Sequence, residues 1–284
     1  MKKGIILYTR EDYEKNRWFA ERFIEEAPDH GMVIRLVLTD LIALGSEEGR
    51  LFIQYGSERW NTPPDFAINR SRNSRIALQL ELMGCRVFNS SAVTNVCNDK
   101  AKTHQLINAH GIKSVKTMFE LSDWENHGMN YPLILKTISG HGGNEVHRID
   151  NEEQLASYVT AYEGEQLLIQ EMCSNPGTDI RAFCMGSEII ACVKRSSTDS
   201  FKSNYSLGGK AEAYSLSEQE RQLVMNILSI MKVDFVGIDF LVDEDGEFLF
   251  NEIEDAVGTR TLFQNYEINI VEKYLSYIRN NLVI

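Results

Sequence analysis

The chain has 284 residues, of which 43% are hydrophobic and 25% charged, with a formal net charge of −12. This length allows two or three small domains with their own cores. The negative charge disfavours long-range attraction to nucleic acid or to an anionic membrane. No apolar stretch approaches the roughly 20 residues of a membrane helix. We therefore predict neither a nucleic-acid nor a membrane partner.

The five cysteines show neither a C-x-x-C pair nor a zinc-ligand spacing. The opening MKKGIILYTR has too short an apolar run for a signal peptide and is typical of a first β-strand. An odd number of cysteines without a secretory signal predicts reduced, mostly buried thiols. These features favour a cytoplasmic protein.

The first third of the chain alternates strand and helix patterns. The predicted strands are Gly4 to Tyr8, Met32 to Leu38, Phe66 to Asn69, and Val87 with Phe88. Helical patterns cover residues 11–27 and a segment through Ile76, Leu78, Leu80 and Met83. Such alternation predicts a small parallel α/β layer. It contains no G-x-G-x-x-G and so indicates no dinucleotide site of its own.

The rest of the chain mixes hairpins with single helices and predicts an α+β arrangement. A helix begins near Asn98 or Asp99 and ends at Gly111. The predicted elements that follow are a strand over 132–138, a Gly-rich turn and second strand, a helix opening at Asp150, a strand Gln166 to Met172, a hairpin of Asp179 to Met185 with Glu188 to Arg195, a helix capped by Ser217 and Glu220, a hairpin over 235–254, and a C-terminal helix.

Three carboxylates crowd one face of the last predicted hairpin. Its turn is Asp245-Gly246, a strong two-residue hairpin signal, which sets Asp239 opposite Glu252. Glu254 lies two residues along on the same face. Like charges this close disfavour joint ionisation unless a cation intervenes, and hard oxygen ligands suit Mg²⁺ or Mn²⁺. The alternative is a solvated acidic strand face.

A lysine and a Gly-rich turn form a second candidate site in PLILKTISGHGGNEV. Lys136 shares a strand face with Ile134 and Ile138, so its charge needs an anionic partner. Gly140, Gly142 and Gly143 follow, and their backbone N–H groups could cover phosphates. The alternative is an ordinary Gly-rich hairpin with an edge lysine. Lys100 lies in the first turn of a helix, where the helix dipole disfavours a positive charge, and a bound phosphate would offset that cost. The alternative is a solvent-exposed lysine.

A third candidate site is a hairpin that carries charges of both signs. Asp179 and Arg181 share a strand face, and Arg195 ends the return strand just before a polar stretch with Lys202, Ser203 and Asn204. Arginines beside a phosphate stabilise phosphoryl transfer. A surface ion pair is the alternative. His141 stands inside the Gly-rich turn and is left without a role.

Taken in order over roughly residues 65–258, these segments resemble the ATP-grasp superfamily and, within it, the RimK-like carboxylate–amine ligases. The resemblance implies an ATP-grasp fold with a Rossmann-like pre-ATP-grasp domain over 1–97, a central lid over 98–172, and a C-terminal domain over 173–284 that carries the metal site. It also implies a reaction. A carboxylate attacks the γ-phosphate of ATP, and an amine then displaces phosphate to form an amide.

The resemblance further implies roles for individual residues. It makes Arg195 and Asn204 catalytic. The implied ATP contacts are Lys100, Lys136, Gly140, Gly142, Gly143, Gln170, Glu171, Met172, Cys173, Asp179, Lys202, Ser203 and Asn204. Asp239, Glu252 and Glu254 would bind Mg²⁺ or Mn²⁺, as two ions. The substrates would be an amino acid such as glutamate and a small-molecule, peptide or protein acid, and the chain would form a homodimer or homotetramer. A phosphotransferase or a nucleotide-binding protein without turnover is the alternative.

Two segments depart from the family pattern. Glu254 stands where the family usually has asparagine, and the proline that normally follows is absent. Glu145 stands near a position where the flap usually carries a glycine. The substrate-binding residues are therefore the least defined. We hypothesise that Arg70, Arg72, Arg181 and Arg260 include those that bind a substrate carboxylate.

Overall fold

A computed structural model describes residues 1–120, 124, 126–143, 145–198, 200–202 and 209–282. Ser203 and Asn204, which we predicted to contact ATP, lie outside the described residues. Within the described part, no helix combines the length and the apolar character needed to cross a membrane.

The N-terminal part contains the predicted parallel sheet. Its elements are β1 (Lys2–Tyr8), α1 (Arg10–Glu26), β2 (Met32–Leu38), β3 (Ile42–Glu47), β4 (Arg50–Tyr55), β5 (Glu58–Trp60), β6 (Phe66–Asn69), α2 (Ser74–Leu82), β7 (Arg86–Phe88) and α3 (Ser91–Cys97). The parallel sheet has the order β2-β1-β6-β7. Strands β3, β4 and β5 form a separate antiparallel sheet that the sequence patterns did not predict, and α3 was also missed.

The middle part is an antiparallel sheet with helices at its sides. Its elements are α4 (Lys100–Ala109), β8 (Thr117–Phe119), β9 (Leu133–Thr137), β10 (Val146–Ile149), α5 (Glu152–Ala161) and β11 (Leu167–Glu171), with the sheet order β10-β9-β11-β8. Asp99 caps α4 by accepting from Lys102 N–H. Buried Leu133, Leu135 and Ile169 pack with α5 through Leu155.

The C-terminal part is a five-stranded antiparallel sheet of order β14-β13-β12-β15-β16. Its elements are β12 (Thr178–Met185), β13 (Glu188–Ser196), β14 (Lys210–Ala213), α6 (Glu218–Ile230), β15 (Phe235–Val242), β16 (Phe248–Glu254), α7 (Arg260–Asn265) and α8 (Ile270–Asn281). The Ser217–Glu220 capping box of α6 is present as predicted. Mixed α/β and α+β architecture is thus confirmed.

The hairpin of β15 and β16 has the predicted pairing but not the predicted turn. A two-residue turn at Asp245-Gly246 is wrong, since the connection runs over residues 243–247 and Val242 pairs with Phe248. A register shift on β16 then restores the pairing of Asp239 with Glu252. Asn251 is the extra residue of this β-bulge, which bends β16 next to Glu252.

One buried amide joins the parallel sheet to the C-terminal sheet. Asn89, just after β7, donates to the carbonyls of Phe235 (2.7 Å) and Asp255 (3.0 Å). Its Oδ1 accepts from the N–H groups of Asp234 (2.6 Å) and Phe235 (3.1 Å). Because all these groups are buried, losing the amide would leave unpaired backbone polar groups. This junction fixes where the end of β16 lies relative to β7.

Candidate active site

A cleft of about 880 Å³, counted with its open mouth, lies between the middle sheet and the C-terminal sheet. Many of the residues predicted from the sequence line it: Lys100, Lys136, Gly140, Gly142, Gly143, Gln170, Glu171, Met172, Cys173, Asp179, Lys202 and Glu252. The fold therefore brings together residues that are up to about 150 positions apart in sequence. Val115, Ile134 and Leu241 add apolar walls, and of these only Ile134 had been noted.

Three lysines bring positive charge to this cleft. Lys136 is buried on β9, and its Nζ donates to Asn251 Oδ1 at 3.0 Å. Burial lowers the pKa of Lys136 to about 8, although Glu252 opposes the shift. Lys100 Nζ donates to the carbonyl of Gly140 at one end of the Gly-rich turn. Lys202 Nζ donates to the carbonyl of Gly143 at 2.8 Å.

The Gly-rich turn connects β9 to β10, which pair antiparallel. A Cβ at Gly140 would overlap the side chains of Thr137 and Glu145, so only glycine fits there. Thr137 Oγ1 donates to the Glu145 carboxylate. Glu145 therefore replaces the expected glycine with an acidic side chain that holds the turn and lines the cleft.

The strand β11 ends at the far side of the cleft. Gln170 Nε2 donates to Thr117 Oγ1 at 2.9 Å and contacts His104 Nε2 at 3.1 Å. Burial, followed by the charge of Lys136, lowers the pKa of His104 to about 4. His104 is thus neutral near pH 7, and its Nε2 can accept from the Gln170 amide. This pair fixes Gln170 beside the backbone of Glu171, Met172 and Cys173.

The carboxylate cluster is present, and two arginines share it. Asp239, Glu252 and Glu254 each place one ligand oxygen within 4.8 Å of the others. Arg181 donates to both oxygens of Asp239 at 2.7 and 2.6 Å and lies 2.8 Å from Glu254. Arg195 donates to Asp239 at 2.7 Å. Burial opposes ionisation of Asp239, but the two arginines outweigh it and lower its pKa to about 2.

Arg195 also forms a bidentate ion pair with Asp179. Its Nε and Nη2 each donate to one Asp179 oxygen at 2.6 Å, as the pairing of the two residues across β12 and β13 requires. Asp179, Asp239, Glu252 and Glu254 supply four carboxylates against the two guanidinium groups of Arg181 and Arg195. Over these six side chains alone the formal charge is −2, and their carboxylate oxygens are the hard ligands that divalent cations prefer.

The four arginines predicted for substrate binding lie in different places. Arg70 is buried and donates to the Val257 carbonyl at 2.7 Å, Arg181 belongs to the carboxylate cluster, and Arg260 donates to the Lys15 carbonyl at 2.9 Å. Arg70, Arg181 and Arg260 line neither the cleft nor the second cavity. Arg72 lines a second cavity and pairs with Asp12 at 2.6 Å.

The second cavity adjoins the cleft at the Gly-rich turn. It is lined by Thr9, Glu11, Asp12, Asp40, Ser71, Arg72, Ser74, Thr94, Asn95, Asn98, Asp99, Lys102, Ser139 and His141. Many of these residues come from the ends of β1 and β6 and from α3, where loops that follow parallel strands commonly bind ligands. Of the residues the structure describes, His141 alone lines both this cavity and the cleft.

A Gly-rich flap and Lys136 from one antiparallel sheet, with Lys100 at the start of a helix, line a cleft opposite carboxylates on a second antiparallel sheet. This is the arrangement of an ATP-grasp enzyme. Comparison with known proteins agrees with this class. The RimK-like ATP-grasp domain matches residues 97–278, and the chain belongs to that family.

Curated relatives and a solved structure resemble most of the chain. β-Citrylglutamate synthase B from Homo sapiens is 29% identical over 271 residues, which cover 88% of this chain and 69% of the relative. The α-aminoadipate–LysW ligase LysX from Sulfurisphaera tokodaii is 25% identical over 276 residues, covering 92% and 94%. D-alanyl-alanine synthetase A from Vibrio cholerae has the same fold, with a TM-score of 0.73 at 15% identity and coverage of 100% and 99%.

These findings confirm the activity predicted from the sequence. The chain is an ATP-dependent, ADP-forming carboxylate–amine ligase. As a member of this family, it uses ATP with Mg²⁺.

Proposed function

We propose that this ligase joins the amino group of an amino acid, with glutamate as the first candidate, to a carboxylate of a small-molecule acid or a peptide. One observation carries the proposal, namely that the second cavity adjoins the nucleotide cleft at His141. An acid bound there would face the phosphate end of the cleft. The names of relatives such as β-citrylglutamate synthase and N-acetylaspartylglutamate synthase support glutamate as the amine.

The reaction proceeds in two steps under this proposal. A carboxylate oxygen of the acid attacks the γ-phosphorus, and ADP leaves from an acyl phosphate. The amine nitrogen then attacks the acyl carbon, and breaking the carbon–oxygen bond to phosphate releases inorganic phosphate and the amide. Lys100, Lys136 and Lys202 offset phosphate charge, while Arg195 stabilises the phosphoryl group in transfer. Asn204 is the second catalytic residue under this proposal.

The adenine would lie at the end of β11. Gln170, Glu171, Met172 and Cys173 would contact it, with Asp179 and Ser203 as further nucleotide contacts. The Gly-rich turn would cover the phosphates through its N–H groups. Asp239, Glu252 and Glu254 would hold Mg²⁺ or Mn²⁺ as two ions. When bound, the metal offsets the charge that builds on the phosphate oxygens.

We propose three domains with boundaries at 97/98 and 172/173, each of which contains its own sheet. The middle domain would serve as the lid that keeps water from the acyl phosphate. A cytoplasmic location is supported by the five free cysteines. We further propose a homodimer or homotetramer, which size-exclusion chromatography with light scattering would test.

The test is a substrate screen with Mg-ATP. Citrate, N-acetylaspartate and short peptides serve as acids, and a panel of amino acids that includes glutamate serves as amines. ADP release should require both partners, and mass spectrometry should find a product equal to their summed mass less water. A phosphorylated acid as the end product would instead make the protein a phosphotransferase. Lys136→Met should abolish turnover, whereas the exposed Lys113→Met should retain it.

A further inference from the structure

The amide-forming step needs a proton acceptor beyond the residues assigned so far. An amino group is largely an ammonium ion near pH 7, and an ammonium ion has no lone pair with which to attack an acyl phosphate. A general base must therefore take a proton from it close to the acyl carbon. The lysines of the cleft cannot do this while they are charged and paired with phosphate.

We propose that His141 is this base and that its imidazole takes a proton from the incoming ammonium group. This inference rests on the proposed function and adds a residue to its second step. His141 lies in the turn between β9 and β10 and is the one described residue that lines both the nucleotide cleft and the second cavity. An acyl phosphate formed where the two cavities meet would lie beside its ring.

The carboxylates near His141 already have partners, which favours His141 as the base. Glu11 pairs with Lys15 at 2.6 Å, and Glu145 accepts from Thr137 Oγ1. Asp12 pairs with Arg72 at 2.6 Å. Asp99 pairs with Lys102 at 3.1 Å and caps α4. Asp40 accepts from the N–H of Arg10 at 2.6 Å.

Charged groups of both signs face the His141 ring. They are Arg72 and Asp12 on the side of the second cavity, with Lys100 and Glu145 on the side of the cleft. Partial burial, and then Arg72, lowers the pKa of His141, and Asp12 and Glu145 oppose this only in part. A lowered pKa means that the neutral imidazole prevails at pH 7, and this is the form that can accept a proton.

The step balances as follows. One ammonium proton moves to an imidazole nitrogen, and the freed lone pair forms the carbon–nitrogen bond. The bond between the acyl carbon and the phosphate oxygen breaks, and inorganic phosphate leaves with that electron pair. The second proton on nitrogen passes to the departing phosphate as the amide forms, and the imidazolium returns its own proton to solvent.

The test separates the two half-reactions. His141→Gln is compared with wild type and with His110→Gln, an exposed histidine at the end of α4 that lies outside both cavities. Each enzyme receives Mg-ATP, an acid from the substrate screen, and either the amino acid or hydroxylamine. Hydroxylamine is largely unprotonated at neutral pH, so it traps the acyl phosphate as a hydroxamate without help from a base.

We expect His141→Gln to lose about 100-fold or more in amide formation at pH 7, the usual contribution of a general base. Hydroxamate formation should stay within about threefold of wild type, because the first step is intact. The amide rate of the variant should climb about tenfold per pH unit from pH 7 to 9, as the amine loses its own proton, and should approach wild type. His110→Gln should match wild type throughout.

Two results would overturn the assignment of His141. Equal losses of hydroxamate and amide would show that the ring serves phosphate binding or the turn itself. A ratio of variant to wild-type amide rate that does not change with pH would show that the ring accepts no proton. Wild type that forms neither hydroxamate nor amide with any acid would instead refute the proposed function, and this inference with it.

Discussion

Replacing Lys136 with methionine should make the unligated protein more stable while removing its activity. Lys136 is buried, and the fall of its pKa from 10.5 to about 8 measures how strongly the fold disfavours its charge. A fall of that size corresponds to roughly 3 kcal/mol at pH 7. Methionine removes that cost, but Asn251 loses a hydrogen-bond partner worth about 1 kcal/mol. A net gain of about 2 kcal/mol is expected.

The pH dependence of this gain follows from linkage. Between pH 8 and 10.5 the unfolded chain holds a proton on Lys136 that the folded chain has released, so the stability of wild type rises with pH there. Below pH 8 the full cost is present. The advantage of Lys136→Met should therefore be constant from about pH 6 to 7.5 and fade towards pH 10.5.

Thermal unfolding monitored by calorimetry or dye fluorescence measures this difference. For chains of this size, 1 kcal/mol shifts Tm by about 2–4 °C, so Lys136→Met should melt about 4–8 °C higher at pH 7. Lys113→Met is the matched control, because Lys113 is exposed and pairs with Glu247 at 3.0 Å. Two results would refute the argument that burial makes the charged form of Lys136 costly. One is a Tm for Lys136→Met at or below that of wild type, and the other is a gain in Tm that is unchanged at pH 10.

Two further substitutions test the carboxylate cluster. Glu254→Gln should raise the Mg²⁺ concentration for half-maximal turnover about tenfold or more, while the exposed control Glu244→Gln leaves it unchanged; an unaltered Mg²⁺ dependence would show that Glu254 is not a ligand. Arg195→Met should destabilise the fold by about 3–5 kcal/mol, seen as a lower Tm, because Asp179 and Asp239 would be left buried and charged. A Tm equal to that of wild type would show that the bidentate ion pair contributes nothing to stability.

Local patterns predicted much of the site because strand geometry determines which residues share a face. The alternation along β9 places Lys136 beside the cleft, and Asp239 and Glu252 pair even though their turn is longer than expected. A two-residue turn and a longer turn followed by a bulge give the same pairing at this point of the hairpin. The predicted pairing of Asp239 with Glu252 is therefore present, although the predicted turn is wrong.

Contacts that depend on sheet order could not be predicted in this way. Arg181 binds Asp239 because β12 lies next to β15 and the two residues are directly paired. No short-range pattern states which strands are neighbours, so Arg181 was assigned to the substrate instead. Asn251 was missed for a related reason, since the bulge takes it out of the alternation of β16. The sheet of β3, β4 and β5 lies outside the segments that resemble the family.

The structure also gives a physical account of the departure at Glu254. An asparagine at this position would leave Asp179, Asp239 and Glu252 against Arg181 and Arg195, a formal charge of −1. Glutamate makes that charge −2 and adds an acceptor for Arg181 at 2.8 Å. The extra charge is therefore shared between a buried guanidinium and the metal position, and it is not concentrated on the metal. Any cation bound here competes with Arg181 for the same carboxylates, which makes metal affinity depend on that arginine as well as on the ligands themselves.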